Sequence, residues 1–337
     1  MRNLFVACLV SAFCYSSLIA EDKPWLEILA GQGPGAGKHI VFISGDEEYR
    51  SEEALPQLAK ILAKHHGFRC TVLFAIDPKD GTINPNVRDN IPGTQTLADA
   101  DLMVIFTRYR DLPDEQMKPI ADYIQSGKPV VGMRTATHAF NMDTKKPRSY
   151  MKFSTTGQEW KGGFGKHILG ETWVNHHGQH GKQGTRGLLV SNQKEHPILR
   201  GIADGDIFGT TDVYTVNLPL RSSCQPLVMG EVTETLESTS AGVKGKLNNP
   251  MMPVAWTNSY TSDSGKTGRV FTTTMGASQD LASEGTRRML VNGCYWAVGL
   301  EDKIPAKSEV TIVGEFKPSP FKFDGHVKGK KPADYGK

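Results

Sequence analysis

Continuous apolar runs alternate with amphipathic ones along the first half of the chain, and that alternation outlines its elements. "HIVFIS" (39–44), "FRCTVLFAI" (68–76), "ADLMVIF" (100–106) and "PVVGM" (129–133) are rich in apolar and β-branched residues. Runs without polar alternation predict strands buried on both faces of a parallel sheet. After the first strand, "SEEALPQLAKILAKHHG" predicts a helix with Ser51 as N-cap, early acids, Leu55, Leu58 and Leu62 on one face, and Gly67 as stop. After the third strand, Asp111 and Pro113 open the helix "PDEQMKPIADYIQSG". Strands alternating with helices of this length imply right-handed βαβ units and a parallel sheet.

The second half is less regular. Residues 141–200 are rich in Gly, Lys and His; the short runs "DIFGTTDVYTV", "QPLVMGEV", "MMPVAW" and "GRVFTTTMG" follow. A last helix is expected from about Leu281 to Val298, burying Leu290, Val291, Cys294 and Tyr295. The pattern predicts one α/β domain over 38–305, doubly wound, with a mostly parallel sheet, helices on both faces and an inserted irregular loop region. A Gly/Pro-rich lead-in (21–37) precedes it, and an extended, partly disordered basic tail (306–337) follows.

Composition changes this picture in three places. The formal charge is +3, and the tail from Glu315 holds six lysines against three acids, so the body is near neutral. No basic groove is visible outside the tail, which excludes a nucleic-acid partner. The start has Arg2, an apolar run from Leu4 to Ile19, then Glu21 and Asp22. This is the layout of a signal peptide over residues 1–20, so an exported, periplasmic or secreted protein without stable membrane insertion is expected. Cys70, Cys224 and Cys294 remain after its removal, widely spaced and in apolar settings, as core residues rather than nucleophiles or zinc ligands.

In a doubly wound sheet, ligands sit beyond the carboxyl ends of the strands. Asp46, Glu47, Glu48, Tyr49 and Arg50 follow the first strand; Arg108, Tyr109 and Arg110 follow the third. Arg134-Thr135-Ala136-Thr137-His138 follows the fourth, and Gly276 to Asp280, with Gln279, follows the late strand. These clusters are expected to converge. Arg134 offers a planar fork of donors for a carboxylate, phosphate or diol and cannot be a nucleophile. A structural ion pair with Glu47 or Glu48 is the alternative. His138 is the expected proton carrier, with Glu48 as its carboxylate partner and a helix cap as the alternative role.

"GETWVNHHGQHG" (170–181) places His176 and His180 four apart, with Glu171 able to complete a metal site; Gly178 breaks any helix there. A substrate-contacting loop using His176 and His177 is the other reading. Asp212 and Tyr214 suit a pocket rim, and Trp160, Trp173 and Tyr214 could offer faces to a sugar ring, while Trp256 and Trp296 belong inside.

The succession "HIVFISGDEEYRSEEALPQLAKIL", "ADLMVIFTRYR", "GKPVVGMRTATHAF", "HPILRGI" and "GRVFTTTMGASQDLASEGTRRMLVNGCYWAVGLEDKIP" resembles the ThuA-like, or trehalose-utilisation, family. In particular it is similar to exported members from planctomycete-type bacteria. The resemblance implies a flavodoxin-like sheet of the class I glutamine amidotransferase superfamily. In the amidotransferases the turn after the fourth strand carries the attacking cysteine; here the corresponding position is Arg134, and no Ser stands in the turn. The covalent amide chemistry is therefore expected to be absent. The family's link to operons that oxidise disaccharides to 3-keto sugars implies a small-molecule carbohydrate as partner. Three readings follow: a carbohydrate-processing enzyme using His138 and Glu48, a non-catalytic sugar-binding module, or a metal-dependent hydrolase built on Glu171, His176 and His180. No cofactor is expected under the first reading, and a homo-oligomer is compatible with all three.

Overall fold

The computed structural model describes residues 23–336, so the expected leader lies outside the described residues. The predicted buried runs become the middle of a ten-stranded sheet. In chain order the first strands are β1 (Trp25–Ile28), β2 (His39–Gly45), β3 (Arg69–Leu73), β4 (Leu102–Thr107) and β5 (Val130–Met133). Then come β6 (Asn175–His176), β7 (Thr185–Leu189), β8 (Phe208–Gly209), β9 (Tyr214–Thr215), β10 (Gln225–Val232), β11 (Met252–Thr261) and β12 (Thr267–Thr273). The large sheet runs β1-β3-β2-β4-β5-β12-β11-β10-β7-β8, and β6 and β9 form a separate ribbon.

Only the segment β3-β2-β4-β5-β12 is parallel. Both flanks are antiparallel, which corrects the expectation of a mostly parallel sheet. For β11 and β12 the reason is connection length: they are joined by the short turn 262–266, and a parallel pair needs a crossover of a dozen residues or more. Among the later strands only β12 reaches a parallel neighbour, β5.

Both faces of the centre are covered. Alternate residues of β2 point to opposite cores: Ile40 and Phe42 join one cluster, Val41 and Ile43 the other. Helices α1 (Ser51–His66) and α3 (Glu284–Ala297) pack on the first side through Leu55, Leu58, Leu62 and Leu290. Helix α2 (Asp114–Gln125) covers the second through Met117, Ile120 and Ile124. Gly67 ends α1 in the left-handed region at φ 77°, as its sequence position predicts. Ser51 is not the cap of α1; its hydroxyl bonds Ser44 and the Asp46 amide. Helix α3 is shorter than expected because Ser283 caps it, its Oγ accepting from Thr286 N at 3.2 Å.

Residues 306–336 lie along the body and end in a short helical turn, Pro332–Tyr335. Ser319 donates from both its amide and its hydroxyl to Glu53, each at 2.7 Å. Lys322 N and Gly325 N donate to the carbonyls of Glu48 and Glu47, and Tyr335 stacks on Phe74. Backbone amides and aromatic rings anchor the segment while Lys328, Lys330 and Lys331 stay exposed. Among the described residues no helix is long and apolar enough to cross a membrane.

Candidate functional site

Three neighbouring parallel strands end in backbone strain. Arg50 after β2, Tyr109 after β4 and Arg134 after β5 have φ of 61°, 50° and 47°, in the left-handed region that non-glycine residues rarely occupy. Each such residue costs about 1–3 kcal/mol and persists where its surroundings hold it, commonly at functional sites. A fourth, Asp324 (φ 52°), lies in the tail beside Gly325, whose amide bonds the Glu47 carbonyl.

In the turn after β5, Arg134 is not exposed. Its side chain is 0% exposed and its guanidinium is enclosed. Nη1 donates to the carbonyls of Asp212 (2.8 Å) and Thr274 (2.6 Å), and Nη2 donates to Asp212 Oδ1 at 2.6 Å. The guanidinium carbon lies 4.1 Å from the Tyr49 ring centroid and 3.9 Å from that of Tyr214. Arg134 therefore organises the site from below. Its ion-pair partner is Asp212, not Glu47 or Glu48.

Asp212 is the hub of this arrangement. The ribbon pairs His176 of β6 with Tyr214 of β9, which brings the 171–180 loop beside Asp212. His176 Nδ1 lies 2.8 Å from Asp212 Oδ2, and His180 Nδ1 lies 3.2 Å from Oδ1. Burial would raise the Asp212 carboxyl, but Arg134 and the two histidines hold it well below the usual carboxylate range. Tyr49 is buried and donates its hydroxyl to Asp212 Oδ1 at 3.2 Å.

A second group lies around Arg108, whose side chain is 23% exposed. Its guanidinium pairs with Glu47 and, at 2.9 Å, with Glu48 Oε1, and it lies over the Tyr109 ring. Burial, opposed by Arg108 and aided by Asp46 and Glu47, pushes the Glu48 carboxyl up to about 7. His138 sits among Tyr109, Trp173 and Tyr214, with ring centroids 4.9, 5.2 and 6.0 Å away. Burial, with Arg108, Arg134 and His176 nearby, holds its imidazole well below the usual range. Its Nδ1 lies 3.2 Å from the Thr137 hydroxyl, and no other described protein group bonds the ring.

Glu47 belongs to the Arg108 group, buried and held by Arg108 and Arg110. The remaining expected residues separate from this centre. Arg50 is buried beneath the tail at Gly325. His177 is committed at both nitrogens, to Leu247 O (2.7 Å) and Thr215 (3.3 Å). Glu171 does not join His176 and His180; its carboxylate takes Asn217 and the Thr172 amide. Gln279 lines another cleft, of about 380 Å³, with Phe208, Thr210 and Ser283. Trp160 stacks on His167 instead of facing the site. Phe321 of the tail is a site residue the sequence did not disclose: it stacks on His180 at 4.3 Å and 3° and also contacts Tyr49. Its only signal was an aromatic residue in a Lys-rich segment otherwise typical of solvated chain.

These features define an α/β protein with a strained, polar site at the carboxyl ends of its parallel strands. The chain belongs to the ThuA family, described as trehalose utilisation, whose family model matches residues 39–297. It is similar to the solved ThuA-like protein of Parabacteroides merdae, with 15% identity, 85% of this chain and 98% of that one covered, and a TM-score of 0.46. A ThuA-like protein of Bacteroides uniformis shares 14% identity, covering 80% and 94%, with a TM-score of 0.48. An exo-β-1,4-mannosidase of an Opitutaceae bacterium shares 9%, covering 77% and 35%, with a TM-score of 0.27. No protein of curated function matches the chain.

Proposed function

We propose that this chain is an exported protein that acts on a di- or oligosaccharide, or its 3-keto derivative, by acid–base chemistry without a covalent nucleophile. The family description supports the substrate class, and the leader-like residues 1–20 support export. The strand order β3-β2-β4-β5-β12 follows the flavodoxin-like pattern 2-1-3-4-5 and supports that frame for the domain.

One observation carries the chemistry: two titratable groups near Arg108 are displaced in opposite senses. Glu48 is pushed up to about 7, so it carries a proton to donate near neutrality. His138 is held well below the usual range, so it is neutral and able to accept one. Environments that separate two groups in this way assign the acid and the base. His138 takes a proton from the bound sugar, and Glu48 gives one to the oxygen that gains charge. Arg108, partly exposed, can hold a hydroxyl or keto oxygen, and the half-buried rings of Tyr109 and Trp173 can face the C–H surface of a pyranose, whereas Tyr214 is buried against Arg134. Thiol attack is disfavoured. Cys70 and Cys294 are buried with their thiols pushed up, and burial pushes Cys224 up to about 11.

The test is a panel of disaccharides and their 3-keto forms incubated with purified protein, with products followed by chromatography. Turnover of at least one keto sugar is expected. Binding by calorimetry without turnover of any member would make the chain a sugar-binding module and end the enzymatic reading.

A further inference from the structure

We propose that His176 and His180 supply two imidazole ligands to a first-row divalent metal ion, with Asp212 orienting both rings and not itself a ligand. The site goes beyond the acid–base reading and stands without it. The argument starts from Asp212. Its carboxylate is buried and paired with Arg134, Oδ2 bonds His176 Nδ1 at 2.8 Å, and Oδ1 lies 3.2 Å from His180 Nδ1. A carboxylate accepts only, so it selects Nδ1–H in His176, while the Tyr49 hydroxyl, which gives its proton to Asp212, can only accept from His180 Nδ1. That leaves a lone pair on each Nε2, and the two Nε2 atoms face one another at 3.2 Å.

Two lone pairs at that distance repel unless a proton or a metal ion lies between them. A tetrahedral ion with bonds of about 2.0–2.1 Å to imidazole separates its ligand nitrogens by about 3.3 Å, close to the observed spacing. A carboxylate behind a ligating histidine fixes the tautomer and raises the basicity of the ligand. Here one carboxylate serves both rings, and Arg134 in turn holds the carboxylate. In the competing arrangement His180 donates from Nε2 to His176. That would turn its bare Nδ1 toward Asp212 Oδ1, and the Tyr49 hydroxyl 3.3 Å away already donates its proton to that same oxygen. The rings are also held apart from each other's alternatives by packing: His180 is stacked beneath Phe321, and His176 stands edge-on to Trp173. The side chains are 35% and 21% exposed, so solvent or a sugar oxygen can complete the coordination. Imidazole donors select zinc, nickel, copper or iron over magnesium and calcium.

The test uses the full chain stripped with a chelator and reloaded with Zn²⁺ or Co²⁺. One ion per chain is expected by elemental analysis and calorimetry, with a Co²⁺ visible spectrum of nitrogen ligation. His176→Gln and His180→Gln, each checked for an unchanged circular dichroism spectrum, should each weaken binding at least 10-fold. Phe321→Leu, which keeps both histidines, should retain the stoichiometry. Absence of uptake by the stripped wild-type chain would overturn the proposal, leaving a proton shared between the rings. Uptake unaffected by both histidine variants would overturn it equally, since the ion would then sit elsewhere.

Discussion

Replacing Arg134 with lysine separates a residue that organises the site from one that grips substrate. The sequence suggests the second role, and burial dictates the first. The guanidinium makes three hydrogen bonds, of 2.8, 2.6 and 2.6 Å, and lies between the rings of Tyr49 and Tyr214. A lysine keeps the charge but can satisfy about one of those acceptors and loses the planar stacking. Each lost bond to a charged group is worth about 1.5–3 kcal/mol, and disrupting a buried pair costs about 3–5 kcal/mol in total. Unfolding entropy of about 2.1 cal/mol/K per residue over 337 residues is about 0.7 kcal/mol/K. The unfolding midpoint of Arg134→Lys should therefore fall by about 4–7 °C. Differential scanning calorimetry measures the midpoint, and isothermal titration with the cognate sugar measures affinity on the same preparation. A variant that melts with wild type yet binds sugar more than 10-fold more weakly would refute the reasoning, because a fully enclosed side chain cannot act on the ligand directly.

Further outcomes follow from neighbouring residues. His138→Gln should leave sugar affinity nearly unchanged and slow turnover by about 10²–10⁴-fold, the usual contribution of a general base; full activity would remove His138 from the chemistry. The Glu48 carboxyl is raised from 4.5 to about 7 on folding, so between those pH values the unfolded chain has released a proton that the folded chain retains. Stability from this group is thus present below pH 4.5 and lost as pH rises to about 7, by up to about 3 kcal/mol. Glu48→Gln should gain on wild type across that window in urea unfolding, and a pH-independent difference would contradict the assignment. Activity that depends on protonated Glu48 should decline above pH 7 in wild type. A Cβ at Gly165 would lie 1.9 Å from the Thr137 carbonyl oxygen, so Gly165→Ala should destabilise by about 3 kcal/mol; a wild-type melting curve would show that the turn can move aside.

Local pattern was enough for the centre of the fold. The runs at 39–44, 102–106 and 129–133 had to be buried strands because they lack polar alternation, and Gly67 had to end α1 because left-handed backbone favours glycine. Placing polar clusters after those strands also located Glu48, Arg108, Arg134 and His138, since strand ends in a parallel sheet share one rim. The antiparallel flanks depended on which strands paired, and short runs such as "QPLVMGEV" carry no record of their neighbour. The roles within the site were decided at longer range still. His176 meets Asp212 only because β6 pairs with β9, and Arg134 is enclosed only because Tyr49 and Tyr214 close on it from distant segments. Phe321 belongs to the site because amides of a lysine-rich tail find carbonyls at Glu47 and Glu48. Periodicity reports which face of an element is apolar, whereas burial of a charged side chain depends on atoms far away in sequence that close over it.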